Sequence, residues 1–350
     1  MTRAMTLLAV LLWACAGGGD DAPDAIPDAV PDDSDAGSEA DAPPDAAGPR
    51  SFVAVTFNTG TSEGLADADP TDRYTPVLGV YSDQYYGDGL AWLPAVEAAA
   101  AFFDQVQPDV VAFQEIFYTG DCEAIPAEAR AGFICEAWQP GDPLVAQVVL
   151  GAGYQVMCNP GKPDKCAAVR DGFGRFRGCD ADLCLEGMTG FTVDGCGKGA
   201  RVGRGVIDRV GGGTLTLVTV HGSSGFSGDD QACRTRQFEQ IFVDLGDGRP
   251  AADGDVNLVL GDFNTDPYGL ASDPSGGRLL DFVGPGKAFR FVTAEGTDAP
   301  PTYAAFRIDH VLSDGLTGTC WHPGVTEGRP PVLADRYFDH TPAVCRLALP

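Results

Sequence analysis

An α/β sandwich is the fold this sequence predicts, and three observations lead there. Short β-branched or apolar runs recur and end in polar residues, helix-like stretches separate only some of them, and no fixed repeat joins the two. Phe52 to Phe57 alternates and is β-branched, as a half-buried strand is. Leu90 to Gln107 is alanine-rich, with Leu90, Leu93, Val96 and Phe103 near helical spacing, and Pro108 ends it. Val110 to Phe113 reads as a buried strand stopping at Gln114-Glu115. Pro143 to Leu150 predicts a short helix leading into a strand over Tyr154 to Met157, while the Gly- and Cys-rich stretch 158–200 predicts irregular structure. Val202 to Val210 and Thr214 to His221 flank Gly211-Gly212-Gly213, a hairpin signal. Arg234 to Leu245 predicts a helix, and strands are expected over 256–261, 307–312 and 342–348.

The run Val256 to Gly261 is the most informative of these, because it delivers Asp262-Phe263-Asn264 to a sheet edge. A carboxylate and a carboxamide two apart on a strand tip project to one side, where they can share a metal ion or a phosphate oxygen. The same logic places polar groups at Asn58, at Gln114-Glu115, at His221 and in the region from Asp309 to His340.

The N-terminus reads as a targeting segment. Arg3 precedes an apolar stretch from Met5 to Trp13, and Leu12-Trp13-Ala14-Cys15 is similar to a bacterial lipoprotein signal with Cys15 as the lipidated residue. The stretch is too short to span a bilayer. An ordinary secretory signal with an incidental Cys is the other reading, and either one exports the protein. Ala16 after the Cys is consistent with transfer to an outer membrane or the cell surface. Residues 16–49 form an acidic Asp/Ala/Pro tract with no basic residue, which cannot repay its ordering entropy and is expected to be a disordered tether. Fully stretched, it would reach about 100 Å. Residues 50–350 are then the folded domain.

Charge and cysteine usage bear on partners and compartment. The chain carries a net charge of −27, and from Arg50 onward it has 40 acidic and 22 basic residues. Such a domain gains nothing from long-range attraction to polyanions. Its basic residues are nevertheless clustered: Lys162, Lys165, Arg170, Arg175, Arg177, Lys198, Arg201, Arg204 and Arg209 fall close together, bordering a phosphate site or forming a solvated face. Of 11 cysteines, all but Cys15 are expected to pair as disulfides in an oxidising compartment. Zinc binding is the alternative, but the spacings lack paired C-x2-C units. Connectivity is open, with Cys158–Cys166 and Cys179–Cys184 as short-loop candidates.

In order, these motifs resemble the endonuclease/exonuclease/phosphatase superfamily, the DNase I-like fold, over residues 51–348. The resemblance implies a four-layer α/β sandwich, two packed mixed β-sheets flanked by helices, with the active site at one rim. Thr56-Phe57-Asn58 is similar to the first strand end, implying that Asn58 places metal or phosphate. Gln114-Glu115 resembles the Gln-Glu pair, implying Glu115 as the principal Mg²⁺ ligand, with Mn²⁺ as a possible substitute. Val218 to His221 resembles the strand presenting a phosphate-contacting His that also assists the leaving group, although Gly222-Ser223-Ser224 departs from the apolar residue usual there. Asp262 and Asn264 are similar to an Asp-x-Asn in which Asp orients or deprotonates water and Asn holds a phosphate oxygen. Arg307 to His310 resembles the strand whose Asp, here Asp309, buttresses the catalytic His, with His310 incidental. Phe338-Asp339-His340 resembles a closing Ser-Asp-His, implying His340 as the catalytic His and Asp339 as a second carboxylate on the metal side.

Phosphoester hydrolysis needs charge neutralised on phosphoryl oxygens, a positioned water and an in-line leaving group, and this set supplies all three. The expected activity is a Mg²⁺-dependent phosphodiesterase acting outside the cytoplasm, on nucleic acid or on a phospholipid headgroup. A noncatalytic surface binding module on the same fold is the alternative. Phe117, two beyond Glu115, stands where DNase I-like members tend to carry an Arg, and is closer to the sphingomyelinase pattern. The aromatic stretch Tyr81 to Trp92 is expected to meet a lipid interface or to be core. A monomer held to a membrane by its N-terminal lipid is expected.

Overall fold

A computed structural model describes residues 51–61, 73–323, 333 and 337–350. The expected signal segment 1–15 with Cys15 and the linker 16–49 lie outside the described residues. In chain order the first elements are β1 (Ser51–Asn58), α1 (Pro76–Tyr81), a π-helical turn (Ser82–Tyr86), α2 (Leu93–Val106), β2 (Val110–Gln114) and α3 (Val145–Leu150). Then come β3 (Tyr154–Asn159), β4 (Lys162–Arg170), β5 (Gly174–Phe176), β6 (Leu183–Cys184), β7 (Val202–Arg209), β8 (Thr214–His221) and α4 (Gly228–Phe242). The last are β9 (Asn257–Asp262), α5 (Pro274–Phe282), β10 (Arg290–Phe291), β11 (Asp309–Ser313), β12 (Thr317–Trp321) and β13 (Ala343–Ala348).

The strands form two mixed sheets, ordered β12-β13-β1-β2-β4-β3-β6 and β10-β11-β9-β8-β7-β5. Each has a parallel pair near its centre, β1 with β2 in the first and β8 with β9 in the second, flanked by antiparallel neighbours, and β6 adds a parallel pairing with β3 at the edge of the first. The inner faces meet through Phe52, Ala54, Val110 and Val169 from one sheet and Ile207, Leu217, Leu258 and Val311 from the other. Alternate residues of the same strands face outward. Val55, Val111 and Phe113 pack under α2 and α3, while Val218, Val220 and Val259 pack under the Phe238 and Ile241 face of α4 and Leu279 of α5. Helix, sheet, sheet and helix make four layers, as the sequence implied.

The expectation that 158–200 is irregular is corrected. β3 and β4 form an antiparallel hairpin, and β4 also pairs with β2, which puts it inside the first sheet. Its core-facing Ala167 and Val169 were hidden by the Gly, Lys and Cys around them. Helix α5 was missed because Pro274-Ser275-Gly276-Gly277 has weak helix propensity. Its start is nevertheless signalled, since the side chain of Asp273 caps it and Pro274 occupies its first turn. Within Tyr81 to Trp92, Tyr86 and Trp92 are core: Tyr86 stacks on Phe133 at 4.2 Å and packs against Phe117, and Trp92 meets Tyr74 and Phe133.

All ten cysteines after Cys15 are paired, as Cys122–Cys135, Cys158–Cys166, Cys179–Cys184, Cys196–Cys233 and Cys320–Cys345. The two short-loop candidates are among them, and the zinc alternative is excluded. Five disulfides are compatible with an oxidising, extracellular compartment. Among the described residues no helix is long and apolar enough to cross a membrane.

One buried ion pair positions a loop at the rim. Arg234, in α4, is fully buried and donates to Asp273 at 3.1 Å, to Ser275 at 3.0 Å and to the carbonyls of Ser223 and Gly225 at 2.6 and 2.7 Å. Burial alone would raise the Asp273 carboxyl, but hydrogen bonds from Ser275 and Thr265 and the Arg234 charge outweigh it and hold it below the usual range. Asp273→Asn leaves a buried guanidinium without its counter-charge, at a cost expected to be about 3–5 kcal/mol. Because the folded-state value is depressed, this contribution is present above about pH 4 and lost as pH falls through the folded value. Denaturant unfolding with disulfides intact should therefore show the gap between wild type and variant at neutral pH and its closure in acid. Equal stability at pH 7 would contradict the assignment.

Candidate active site

The site lies where the two central parallel pairs end. β1 and β2 run in register with Asn58 beside Gln114, and β8 and β9 with His221 beside Asp262. Ligands of open α/β sheets bind outside such carboxyl ends. Two antiparallel neighbours add residues from their starts: Asp309 opens β11 opposite Asp262, and His340 lies just before β13. Face-to-face packing of the sheets then brings all these tips together. Asn58 Nδ2 donates to Asp262 Oδ2 at 3.0 Å across the seam.

Asp309 Oδ2 lies 2.8 Å from His340 Nδ1, the pairing the sequence implied. His340 Nε2 is then turned toward Asn58 Nδ2 at 3.4 Å and Asp262 Oδ2 at 3.9 Å. Burial alone would lower the His340 pKa, but the carboxylates of Asp309, Asp262 and Asp339 outweigh it and raise it to about 10. Asp262 is pushed up to about 7 by burial and by the neighbouring Asp309 charge. His221 is buried, and desolvation together with the Lys165 and Arg201 charges drives its pKa well below the usual value, so it is neutral at pH 7. Its Nε2 lies 3.4 Å from Glu115 Oε1 and 3.7 Å from Asp262 Oδ2.

Asn264 departs from the strand-tip geometry expected of it. The strand ends at Asp262, and Asn264 takes a left-handed backbone with φ 52°. Its amide folds back on Asp262: the backbone N donates to Oδ1 at 2.7 Å, and Nδ2 donates to Oδ2 at 2.9 Å and to the Gly222 carbonyl at 3.1 Å. The carboxamide therefore fixes the carboxylate's orientation. The Gly222 departure also has a physical reason, since a Cβ there would lie 2.3 Å from the Phe263 carbonyl oxygen. His310 is buried between Phe263 and Phe291, with Nε2 3.2 Å from the Thr265 carbonyl.

Beside this cluster, oxygens of Glu115, Asp339 and Asn58 converge on the backbone of Gly60. A Cβ on Gly60 would lie 2.6 Å from Glu115 Oε2, 2.9 Å from Asp339 Oδ1 and 3.4 Å from Asn58 Oδ1. Glu115 is held there by a left-handed backbone with φ 58°, and burial and the Glu115 charge raise the Asp339 carboxyl to about 6. Two crowded carboxylates and an amide oxygen are the donor set a hard divalent cation takes. Asp262, Asp309 and His340 also present ligand atoms within 4.8 Å of one another. An ion there would compete for groups already engaged in the His340–Asp309 contact, so the Glu115–Asp339–Asn58 oxygens are the better fit.

Glu115 and Asp339 lie between two clefts. One, of about 200 Å³, holds Asn58, Asp262, Asn264 and His340 under an apolar wall of Phe226, Tyr303 and Phe306. The other, of about 630 Å³, is polar and adds His221, Lys162, Lys165 and Arg201. The basic cluster therefore divides. Arg170, Arg175, Arg177 and Arg204 are spent on ion pairs with Asp109, Asp171, Asp208 and Asp247, while Lys162, Lys165 and Arg201 face the site. Sequence reasoning did not separate these three, and reading β4 as irregular removed the register that would have done so.

Two mixed sheets, outer helices and a polar rim make this a DNase I-like α/β sandwich. No family model and no curated protein matches the chain. Solved structures are similar to it: a humanized TDP2 of D. rerio is 12% identical and covers 85% of this chain and 99% of its own, with a TM-score of 0.49. An endonuclease/exonuclease/phosphatase from Beutenbergia cavernae is 17% identical, covering 86% and 72%, with a TM-score of 0.45. An AP endonuclease from Archaeoglobus fulgidus is 13% identical, covering 84% and 98%, also at 0.45.

Gly60→Ala tests the cradle. The added methyl must displace Glu115 and Asp339, so divalent-cation affinity measured by calorimetry should fall at least about tenfold. The melting temperature should change little, because the crowding is against side-chain ends. Unaltered cation binding would show that these oxygens are not the ligands.

Proposed function

We propose that the protein is a metal-dependent phosphodiesterase. The observation that carries the reading is the meeting, at one rim, of an oxygen cradle with a buried His340–Asp309 pair and an oriented Asp262 carboxylate. A divalent cation such as Mg²⁺, held by Glu115, Asp339 and Asn58, would supply Lewis-acid stabilisation of charge on a phosphoryl oxygen.

The chain's own residues divide the remaining work. His340 carries its proton at neutral pH, because Asp309 holds Nδ1 and three carboxylates favour the cation; it is therefore a donor to the phosphate or to the leaving oxygen, not a base. Asp262 is the acceptor. Its raised pKa makes it a better base than an ordinary carboxylate, and Asn58 and Asn264 fix its direction. Neutral His221 adds a donor beside Glu115. This supports Asp262 as the group that takes the water's proton, a choice the sequence left open.

The test is hydrolysis of bis(p-nitrophenyl) phosphate, plasmid DNA, RNA, sphingomyelin, phosphatidylcholine and inositol phosphates with Mg²⁺ or Mn²⁺. Glu115→Gln and His340→Ala should each lower kcat about 10²–10⁴-fold with the fold intact. Chelator should abolish turnover, and added metal should restore it. No turnover on any substrate by folded, metal-loaded protein would favour the surface binding module.

Export is proposed on the N-terminal segment and the five disulfides, and lipid anchoring on Cys15 with the acidic tract behind it. Cys15→Ser should move the protein from the membrane to the soluble fraction or stall its processing, and an unchanged distribution would remove lipidation from the account.

A further inference from the structure

The three cations that face the site are brought there by separate devices. Lys162 and Lys165 stand at the start of β4, where the Ile116 N–H bonds to the Asp164 carbonyl at 3.2 Å and seats the strand's opening beside Glu115. Lys165 precedes Cys166, whose disulfide to Cys158 closes this hairpin. Arg201 arrives from another loop. Ala200 N bonds to the Pro160 carbonyl at 2.9 Å, Asn159 Nδ2 to the Ala200 carbonyl at 3.1 Å, and Gly199 lies directly against Gly161. The Arg201 guanidinium is braced on the carbonyls of His221 and Gly222 at 3.4 and 3.2 Å. The Cys196–Cys233 disulfide anchors that loop to α4.

The three cations of this wall outnumber the two carboxylates beside them in the cleft, Asp88 and Asp164, once Glu115 and Asp339 are engaged by a metal ion. Asp164 is the carboxylate given to both lysines, at 3.6 Å from Lys162 and 2.6 Å from Lys165. The Lys165 side chain is only 3% exposed, and burying an ammonium is costly unless anions surround it. Desolvation accordingly pulls its pKa down to about 8 in spite of Asp164. Glu115 and Asp339 line the same cleft, but a bound divalent cation would neutralise them. A chain of net charge −27 thus keeps a cationic wall on one side of its reactive centre.

We propose that Lys162, Lys165 and Arg201 form a second anion subsite, so that the preferred substrate carries a second phosphate group beside the scissile one. The inference rests on the phosphodiesterase reading of the same site and narrows it to substrates with two neighbouring phosphates. The scissile group occupies the Glu115–Asp339–His340 end, and the second group lies in the wider cleft, where a guanidinium and two ammonium groups donate charge-assisted hydrogen bonds to it. Binding there adds a second anion beside Lys165, whose ammonium already meets Asp164 at 2.6 Å.

The test is equilibrium binding by calorimetry to the full folded chain with metal present. The probes are thymidine 3′,5′-bisphosphate, thymidine 5′-monophosphate and inorganic pyrophosphate. The bisphosphate should bind at least about tenfold more tightly than the monophosphate, the value of a good charge-assisted contact. Lys165→Met and Arg201→Met should each remove most of that advantage. Lys162→Met, on a partly exposed side chain, provides the same reading if burial makes Lys165→Met fold poorly, and circular dichroism checks each variant. Pyrophosphate sharing the lysine dependence would point to directly linked phosphates, whereas dependence confined to the nucleoside would point to phosphates separated by a sugar. Equal affinity for bisphosphate and monophosphate, or an advantage that survives all three substitutions, would overturn the subsite. Because the readout is binding, it separates from the hydrolytic test. Turnover of simple diesters without a bisphosphate preference would leave the phosphodiesterase and remove the subsite, and the opposite pair of results would do the reverse.

Discussion

The Asp262 carboxylate is the point on which the rim depends. It ends the central strand of one sheet, and its Oδ2 accepts from Asn58, which ends a central strand of the other. A buried carboxylate is tolerated only when its oxygens are satisfied. Here Asn58, Asn264 and the Asn264 backbone supply three N–H groups. The Asn58 bond crosses between the two sheets at their edge, and the two from Asn264 fix the carboxylate's direction. His221 and Asp309 flank the carboxylate because their strands pair with its own at the same level, and His340, just before β13, is held there through Asp309. Losing this alignment would leave each polar group where it is on its own strand, but no longer facing the others.

The same seam explains how the charges are sorted. Asp309 and His340 are close enough to act as a pair, so the neighbouring carboxylates raise the imidazole pKa despite burial. Asp262 is farther from the imidazole, at 3.9 Å, and burial and the Asp309 charge outweigh the lowering effect of His340 and push it upward. Environments that drive neighbouring titratable groups apart in this way distinguish a proton donor from an acceptor. On the other side of Glu115, buried His221 faces cations and is kept neutral. The centre therefore has a charge gradient from the carboxylates around His340 to the cationic wall of β4.

Much of this was legible in the sequence, and the exceptions have identifiable causes. Asn58, Glu115, His221 and Asp262 were found because each ends or follows a strand whose apolar pattern is plain, whereas Asp309, Asp339 and His340 were singled out by motif resemblance. Asn264 was located, but its direction was not, because a left-handed residue after a strand breaks the period-of-two rule. Lys165 and Arg201 could not be separated from their basic neighbours. The neighbours' partners, Asp109, Asp208 and Asp247, lie tens of residues away, and β4 is masked in sequence by its flanking Lys, Pro and Cys. Short-loop disulfides could be guessed, whereas Cys196–Cys233 and Cys320–Cys345 depend on tertiary contacts between distant elements.

On the proposed function, Asp309 and His340 act as one unit at a hydrolytic centre. A double-mutant cycle on kcat for phosphodiester hydrolysis, using Asp309→Asn, His340→Ala and the double variant, measures this directly. If the unit exists, the double variant will be scarcely slower than His340→Ala alone, because Asp309 has no role without the imidazole. Losses that multiply would contradict it, as would wild-type turnover in the His340→Ala protein.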